Sequence, residues 1–313
     1  MIGFGKTVQV NDLPSSIILR DVSMRDGLQD EAPVPTETKL ALFEALVAAG
    51  VRELELTSFV RPDRVPAMAD ADELCAATAG SEVVRWGLVL NRRGAERAMA
   101  AGLTHLQYVV SVSDTHSRHN AGAGTDDAIA AFEALAAPMI DQGAVIEMTL
   151  STAFGCPYEQ RIDPARVVDV ARRVVDAGAS SIGLADTIGV AVPPEVTFLV
   201  EHVTSAVDVS IGAHLHDTRG LAVANGLAAL AAGANRIDAA VGGLGGCPFA
   251  PGASGNVAIE DVAHALEAMG VDAGCSVSGL IDAAVLACGA VGRPVASHVG
   301  VAGPRFAETA GVA

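Results

Sequence analysis

Two histidines lie two residues apart, His214 and His216 in the string HLHD, at the end of a short apolar run. On a β-strand, alternation of side chains sends both imidazoles to one face. A lone strand histidine is most simply a packed structural residue, whereas a pair at this spacing can chelate. Far upstream, SMRDGLQDE sets Asp26 beside Arg25 just after another apolar run. Asn256 closes a glycine-rich stretch, GGLGGCPFAPGASGN (242 to 256), that also carries Cys247. A carboxylate, two imidazoles and an amide carbonyl make an oxygen- and nitrogen-rich donor set with no thiolate. Such a set suits Mg2+ or Mn2+, with Zn2+ as an alternative, and leaves positions open for a chelating substrate.

Residues so far apart in the chain need a scaffold that gathers them. Eight β-branched or apolar runs predict strands over 16–23, 51–58, 83–90, 105–113, 144–154, 180–187, 209–216 and 234–243. Segments of helical spacing follow, starting at Thr36, Ala69, Arg93, Asp126, Pro164, Pro194 and Leu221, and several end in AG or AAG, where glycine can close a helix. Strict alternation eight times over predicts an α/β fold, a (β/α)8 TIM barrel, rather than a doubly wound sheet with fewer strands and a glycine-rich first turn. Residues 1–290 read as one barrel domain that includes two C-terminal helices, and 291–313 as a C-terminal tail. Barrel chemistry belongs at the C-terminal strand ends. There the sequence places Arg25 and Asp26, Glu55 and Ser58, Ser111 and Ser113, Asp186 and Thr187, the two histidines, and the glycine-rich loop. Closure pairs strand one with strand eight and strand eight with strand seven, so Asp26 becomes a neighbour of the histidine pair.

Composition narrows the partners. The 313 residues carry a formal net charge of −17, which argues against nucleic acid, whose affinity comes from Lys and Arg neutralising phosphates. Half the residues are hydrophobic and only 4% aromatic, so the core is expected to be Ala, Val, Leu and Ile packed between helices and a buried parallel sheet. Five scattered cysteines (Cys75, Cys156, Cys247, Cys275, Cys288) show no CxxC pattern and suggest neither a disulfide framework nor a structural zinc site. With no leader-like start and no run of eighteen apolar residues, the chain reads as cytoplasmic, without a membrane partner. Apolar barrel helices make a homodimer the expected assembly.

Several strings resemble one family. RDGLQDE (25–31), ELTSFV (55–60), VPAMAD (65–70), FGCPYE (154–159), LADTIGV (184–190), HLHDTRG (214–220) and the glycine-rich stretch are similar, in order, to the 3-hydroxy-3-methylglutaryl-CoA lyases, metal-dependent TIM-barrel enzymes. The resemblance implies cleavage of a 3-hydroxy-3-methylglutaryl-CoA-like thioester to acetyl-CoA and a β-keto acid such as acetoacetate. It implies a divalent cation on Asp26, His214, His216 and Asn256, with His214 as ligand, base or both. Arg25 would stabilise the enolate oxygen and Cys247 would donate a proton at the enolate carbon. Glu55 would orient Arg25, or simply pair with it. Gln29, Ser58, Asn120, Asp186 and Thr187 would line the substrate, and Ser117 with Arg118 would meet the CoA. Asp21, Asp30, Phe249 and Pro251 depart from the usual family residues, which keeps a different 3-hydroxy-3-alkylglutaryl-CoA open as substrate. A metal-dependent aldolase of a 4-hydroxy-2-oxo acid, an acetyl-CoA-dependent condensing synthase and a non-catalytic barrel are the competing readings. Leu28, where the synthases carry Glu, and the lack of room for a regulatory domain favour the lyase.

Overall fold

The computed structural model describes residues 13–246 and 255–305. Eight parallel strands close a barrel in chain order: β1 (Ile18–Asp21), β2 (Glu53–Ser58), β3 (Val84–Val89), β4 (His105–Ser111), β5 (Val145–Ser151), β6 (Ser181–Asp186), β7 (Ser210–Leu215) and β8 (Arg236–Ala239). The expected closure is present, with β1 paired to both β2 and β8. Around the barrel run α1 (Thr36–Ala48), α2 (Ala71–Ala77), α3 (Arg92–Ala100), α4 (Asp114–Ala121), α5 (Thr125–Ile140), α6 (Pro164–Asp176), α7 (Pro193–Ala206) and α8 (Ala222–Ala231). Then come α9 (Ile259–Ala268), α10 (Val277–Ala290) and α11 (His298–Ala302).

The AG endings do stop helices. Gly50, Gly102, Gly178 and Gly233 take φ of 98°, 84°, 111° and 107°, a left-handed conformation closed to most side chains. Helix starts are equally local: the Asp163 carboxylate accepts the Ala165 N–H, and Pro164 fills a first-turn position whose N–H would go unused. Outward strand residues such as Leu19, Leu54, Leu106, Ile146, Ile182, Ile211 and Ile237 are buried under the helices and carry the apolar core.

The barrel interior is charged. Arg20 hydrogen-bonds Glu147 at 2.8 Å and also pairs with Glu53, while Arg236 reaches Glu147 at 2.5 Å and Asp238 at 2.8 Å. Arg20 also lies 4.3 Å over the Trp86 ring. Apart from half-buried Glu53 these groups are buried, and their mutual pairing offsets the desolvation each would otherwise suffer. Gly212 faces Arg236, and a Cβ there would occupy the guanidinium's position. The small residue is needed for space.

Four stretches differ from the sequence expectation. Strand one stops at Asp21 because the chain coils into a wide turn over Ser23–Gly27, closed by a hydrogen bond from Gly27 N–H to Val22 C=O (3.0 Å). Strand eight stops at Ala239 before a tight turn over Val241–Gly243. The segment after strand four is the helix α4, capped by Ser113 Oγ accepting the His116 N–H and ended by left-handed Gly122. Within 291–313, α11 is tied down by Asp261, which accepts the Val299 N–H at 2.7 Å.

Candidate active site

The turn after β1 is what presents Arg25 and Asp26. Both side chains are buried and both line a cavity of about 1410 Å³ at the C-terminal end of the barrel. Arg25 Nε donates to Glu55 on β2 and its Nη1 donates to Asp26. Glu55 is wholly buried next to an irregularity in the β2–β3 register, so it has little freedom to release the guanidinium. Gln29 Nε2 adds a hydrogen bond to Asp26 Oδ1 at 3.1 Å.

Asp26 Oδ2 faces the histidine pair. It lies 3.9 Å from His214 Nε2 and 3.7 Å from His216 Nε2, and the two Nε2 atoms are 3.3 Å apart. Asn256 joins them from the far side of the glycine-rich segment, where its backbone bridges to His216. Its amide donates to Asp26 Oδ2 (2.8 Å) and Leu244 C=O (3.0 Å), which leaves the buried Oδ1 with no partner among the described residues. Gly245 permits this approach: a Cβ there would come 2.6 Å from Asn256 Nδ2, and its φ of 117° excludes most side chains.

These atoms fit a divalent cation. One carboxylate oxygen and two imidazole nitrogens lie within 4.8 Å of one another. Two ring nitrogens 3.3 Å apart can share only one proton, yet their spacing is close to the ~3 Å between adjacent ligands of a single ion. The Asn256 amide donates to the same Asp26 oxygen and its own buried oxygen has no partner among the described residues, so a turn of the amide would offer that oxygen as a fourth donor. The donor chemistry is that of a borderline-to-hard cation.

Electrostatics keep the set ready to ligate. Burial alone would raise the Asp26 pKa, but the Arg25 guanidinium, the two imidazoles and the Asn256 amide hold the carboxyl far below the usual range. Burial pushes His216 down to about 4, so it is a neutral imidazole with a lone pair to offer. Burial also opposes charge on His214, but Asp238 and Asp26 outweigh it and raise its pKa.

The remaining expected residues divide. Ser58, Asn120 and Thr187 line the cavity, and Thr187 Oγ1 also accepts the Thr152 N–H at 2.8 Å. Asp186 does not face the cavity as expected. Its two oxygens accept the Val190 and Ala191 N–H groups, each at 2.9 Å, so it shapes its own loop. Ser117 and Arg118 are likewise absent from the cavity wall: α4 buries Ser117, and Arg118 points outward in an ion pair with Asp114 at 2.8 Å. Cys247 lies outside the described residues, directly after Gly246, which lines the cavity.

Two participants escaped the sequence reading. Asp238 stands beside His214 in the β7–β8 register, with its Oδ2 at 3.6 Å from His214 Nδ1. It takes the place of the carboxylate that commonly stands behind a metal-binding imidazole. The signal was the pair of charges two apart in the apolar run RIDAAV. His116 lines the cavity with its Nδ1 at 2.9 Å from Ser111 Oγ, and burial lowers its pKa.

A family model described as HMGL-like matches residues 16–286. Among characterised proteins, the chain is 39% identical to the (R)-citramalyl-CoA lyase of Chloroflexus aurantiacus, covering 95% of this chain and 98% of that one. It is 36% identical to the mitochondrial hydroxymethylglutaryl-CoA lyase of Mus musculus, covering 94% and 91%. Among solved structures, an HMG-CoA lyase from Acinetobacter baumannii in complex with coenzyme A and 3-methylmalate superimposes with a TM-score of 0.88 at 36% identity, covering 96% of this chain and 98% of that one. With the family model spanning most of the barrel and these relatives aligned almost end to end, the chain belongs to the HMG-CoA lyase family and is a carbon–carbon lyase.

Proposed function

We propose that the protein cleaves the C2–C3 bond of a tertiary 3-hydroxyacyl-CoA that ends in a carboxylate, with 3-hydroxy-3-methylglutaryl-CoA or a close 3-alkyl analogue as substrate and acetyl-CoA and a β-keto acid such as acetoacetate as products. The observation that carries this reading is the convergence of Asp26, His214 and His216 with Arg25 on one cavity wall.

Cleavage removes the proton from the C3 hydroxyl, converts that carbon to a ketone, and sends the electron pair of the breaking bond into a thioester enolate. A divalent cation held by Asp26, His214, His216 and Asn256 would supply Lewis acidity toward the hydroxyl and carboxylate oxygens of the substrate. His214, whose Nε2 faces the site while Asp238 stands behind its Nδ1, can accept a proton at Nε2 when that nitrogen is not engaged as a ligand. Arg25 has Nε on Glu55 and one Nη1 hydrogen on Asp26, so both Nη2 hydrogens and the second on Nη1 are left to donate to the enolate oxygen. Because both anchors are buried acids, the guanidinium is held in place before substrate arrives. Cys247, the residue that follows cavity-lining Gly246 in the sequence, is the proposed donor that returns a proton to the enolate carbon.

The 39% identity to an (R)-citramalyl-CoA lyase favours a second reading. That thioester is one methylene shorter between the carbinol and the carboxylate, and the same bond cleavage would release pyruvate instead of acetoacetate. Incubating the Mg2+- or Mn2+-loaded enzyme with each thioester and following acetyl-CoA release separates the two. Release from neither, together with turnover of a 4-hydroxy-2-oxo acid, would replace the proposal by the aldolase reading.

A further inference from the structure

We propose that the cavity floor along β3–β6 is a pocket for an alkyl branch larger than methyl on the carbinol carbon of the substrate, with Leu88, Leu90 and Val109 as its main walls. This rests on the thioester-lyase reading above and names the substrate class within it: a 3-hydroxy-3-alkylglutaryl-CoA whose branch runs to several carbons.

The floor is divided by chemistry. Arg25, Asp26, His214 and His216 come from the turn after β1 and from the end of β7. The inward side chains of β3–β6 that line the cavity are Leu88, Val109, Thr149, Ser151 and Ala185, and Leu90 follows one residue beyond β3. None of these is charged and none is aromatic. Closure in chain order sets β3 and β4 across the barrel from β7 and β8, so Leu88 and Val109 stand on the wall opposite the imidazoles. Ala185, the register neighbour of His214, joins the two sides without filling the space between them. Thr149, opposite Val109 in the β4–β5 register, has its hydroxyl engaged by Gln107 Nε2 at 3.0 Å, so it makes little polar demand on the floor.

Inward apolar side chains of a closed barrel are ordinarily covered by the layer above them. Here Leu90 keeps 41% of its surface exposed and Val109 is only half-buried, so apolar surface faces the cavity. Surface of this kind is what an apolar ligand group covers. The stereochemistry of the substrate selects that group. Its carbinol carbon carries a hydroxyl, a carboxylate arm, a thioester arm and one alkyl branch. The three polar groups belong with the donor set and the guanidinium on the β7–β1 side, which turns the branch toward the opposite wall. A methyl meets one layer of that wall. Leu88 and Leu90, two residues apart on one face, extend the apolar strip outward by about 6.6 Å. On the β5–β6 side the strip gives way to Ser151 and Thr187, so the branch is directed along β3.

The test is a series of 3-hydroxy-3-alkylglutaryl-CoA esters with methyl, propyl and pentyl branches, turned over by the Mn2+-loaded enzyme with acetyl-CoA release read as kcat/KM. Each methylene buried against the strip should raise kcat/KM by up to ~4-fold, so propyl should exceed methyl by about 10-fold. Val109→Phe, which fills the floor beside Thr149, should cut the pentyl-to-methyl ratio by at least ~10-fold. A partly unfolded variant lowers all three rates alike, so the ratio reads the pocket and not the fold. A wild-type preference for methyl over both longer branches would overturn the pocket while leaving the lyase reading intact. An unchanged ratio in Val109→Phe would overturn the assignment to this wall. Release of acetyl-CoA from none of the three esters would overturn the glutaryl-CoA reading and the pocket with it.

Discussion

Asp238→Asn is the most informative single change, because it removes the charge behind His214 while keeping the side chain's shape and an oxygen that can still accept from Arg236 Nε. The carboxylate lies 3.6 Å from His214 Nδ1, on the opposite edge of the ring from the nitrogen that faces Asp26 and His216. Two full unit charges at that separation would interact by about 5 kcal/mol at an effective dielectric of 20. A ligated imidazole carries only part of the ion's charge, so the expected loss is ~1.5–3 kcal/mol, or about 10- to 100-fold in metal affinity. The fold should survive: Arg20 and Arg236 keep Glu147 at 2.8 and 2.5 Å, and asparagine retains the shape. Calorimetric titration with Mn2+ at about pH 7.5, beside circular dichroism to show a folded variant, reads the effect. Mn2+ affinity within twofold of wild type in a folded Asp238→Asn protein would refute the claim that this carboxylate sets the donor strength of His214.

Other perturbations probe the rest of the site and its supports. Arg25→Lys should lose most turnover, since an ammonium cannot hold Glu55 and Asp26 while offering a third donor in the same plane; a loss of less than threefold would show that Arg25 only shapes the turn. Cys247→Ala should lower acetyl-CoA release by ~100-fold or more, within the range of a lost general acid, with Mn2+ affinity unchanged, and near-wild-type turnover would remove the thiol from the chemistry. Glu260, which accepts the Gly242 N–H behind the glycine-rich stretch, is raised by burial to about 7. An unfolded glutamate ionises near 4.5, so the folded protein holds the extra proton between these values and loses stability as pH rises through them, by up to about 3 kcal/mol. In Glu260→Gln that loss should vanish, so the stability gap between the two proteins should change between about pH 5 and 8. A gap independent of pH would contradict the assignment.

Much of this was legible in the sequence for a physical reason. Barrel alternation and the AG stops are local signals, and a closed parallel barrel leaves one strand order consistent with seven successive crossovers between eight strands. Once that order is fixed, Asp26 and the HLH pair must meet, as they do. Cross-strand register is not written locally, which is why Asp238 was missed: that it stands opposite His214, rather than one residue along, depends on packing around Arg236 in the barrel interior. Asp186 misled for a related reason. Its position at a strand end said nothing of its two oxygens being taken up by the N–H groups of its own loop. The α4 helix has local signals in Ser113 before Asp114 and Gly122 at its close, but its polar sequence DTHSRHNA carries no apolar stripe to mark it as a helix.

A single ion shared by Asp26, His214, His216 and Asn256 is the premise beneath the lyase chemistry. Anomalous diffraction from crystals of the wild-type protein grown with Mn2+ tests it directly. The expected result is one strong peak bonded to Asp26 Oδ2, both Nε2 atoms and the Asn256 carbonyl oxygen. A map with no peak there, or with manganese bound elsewhere while the two imidazoles share a proton, would contradict it.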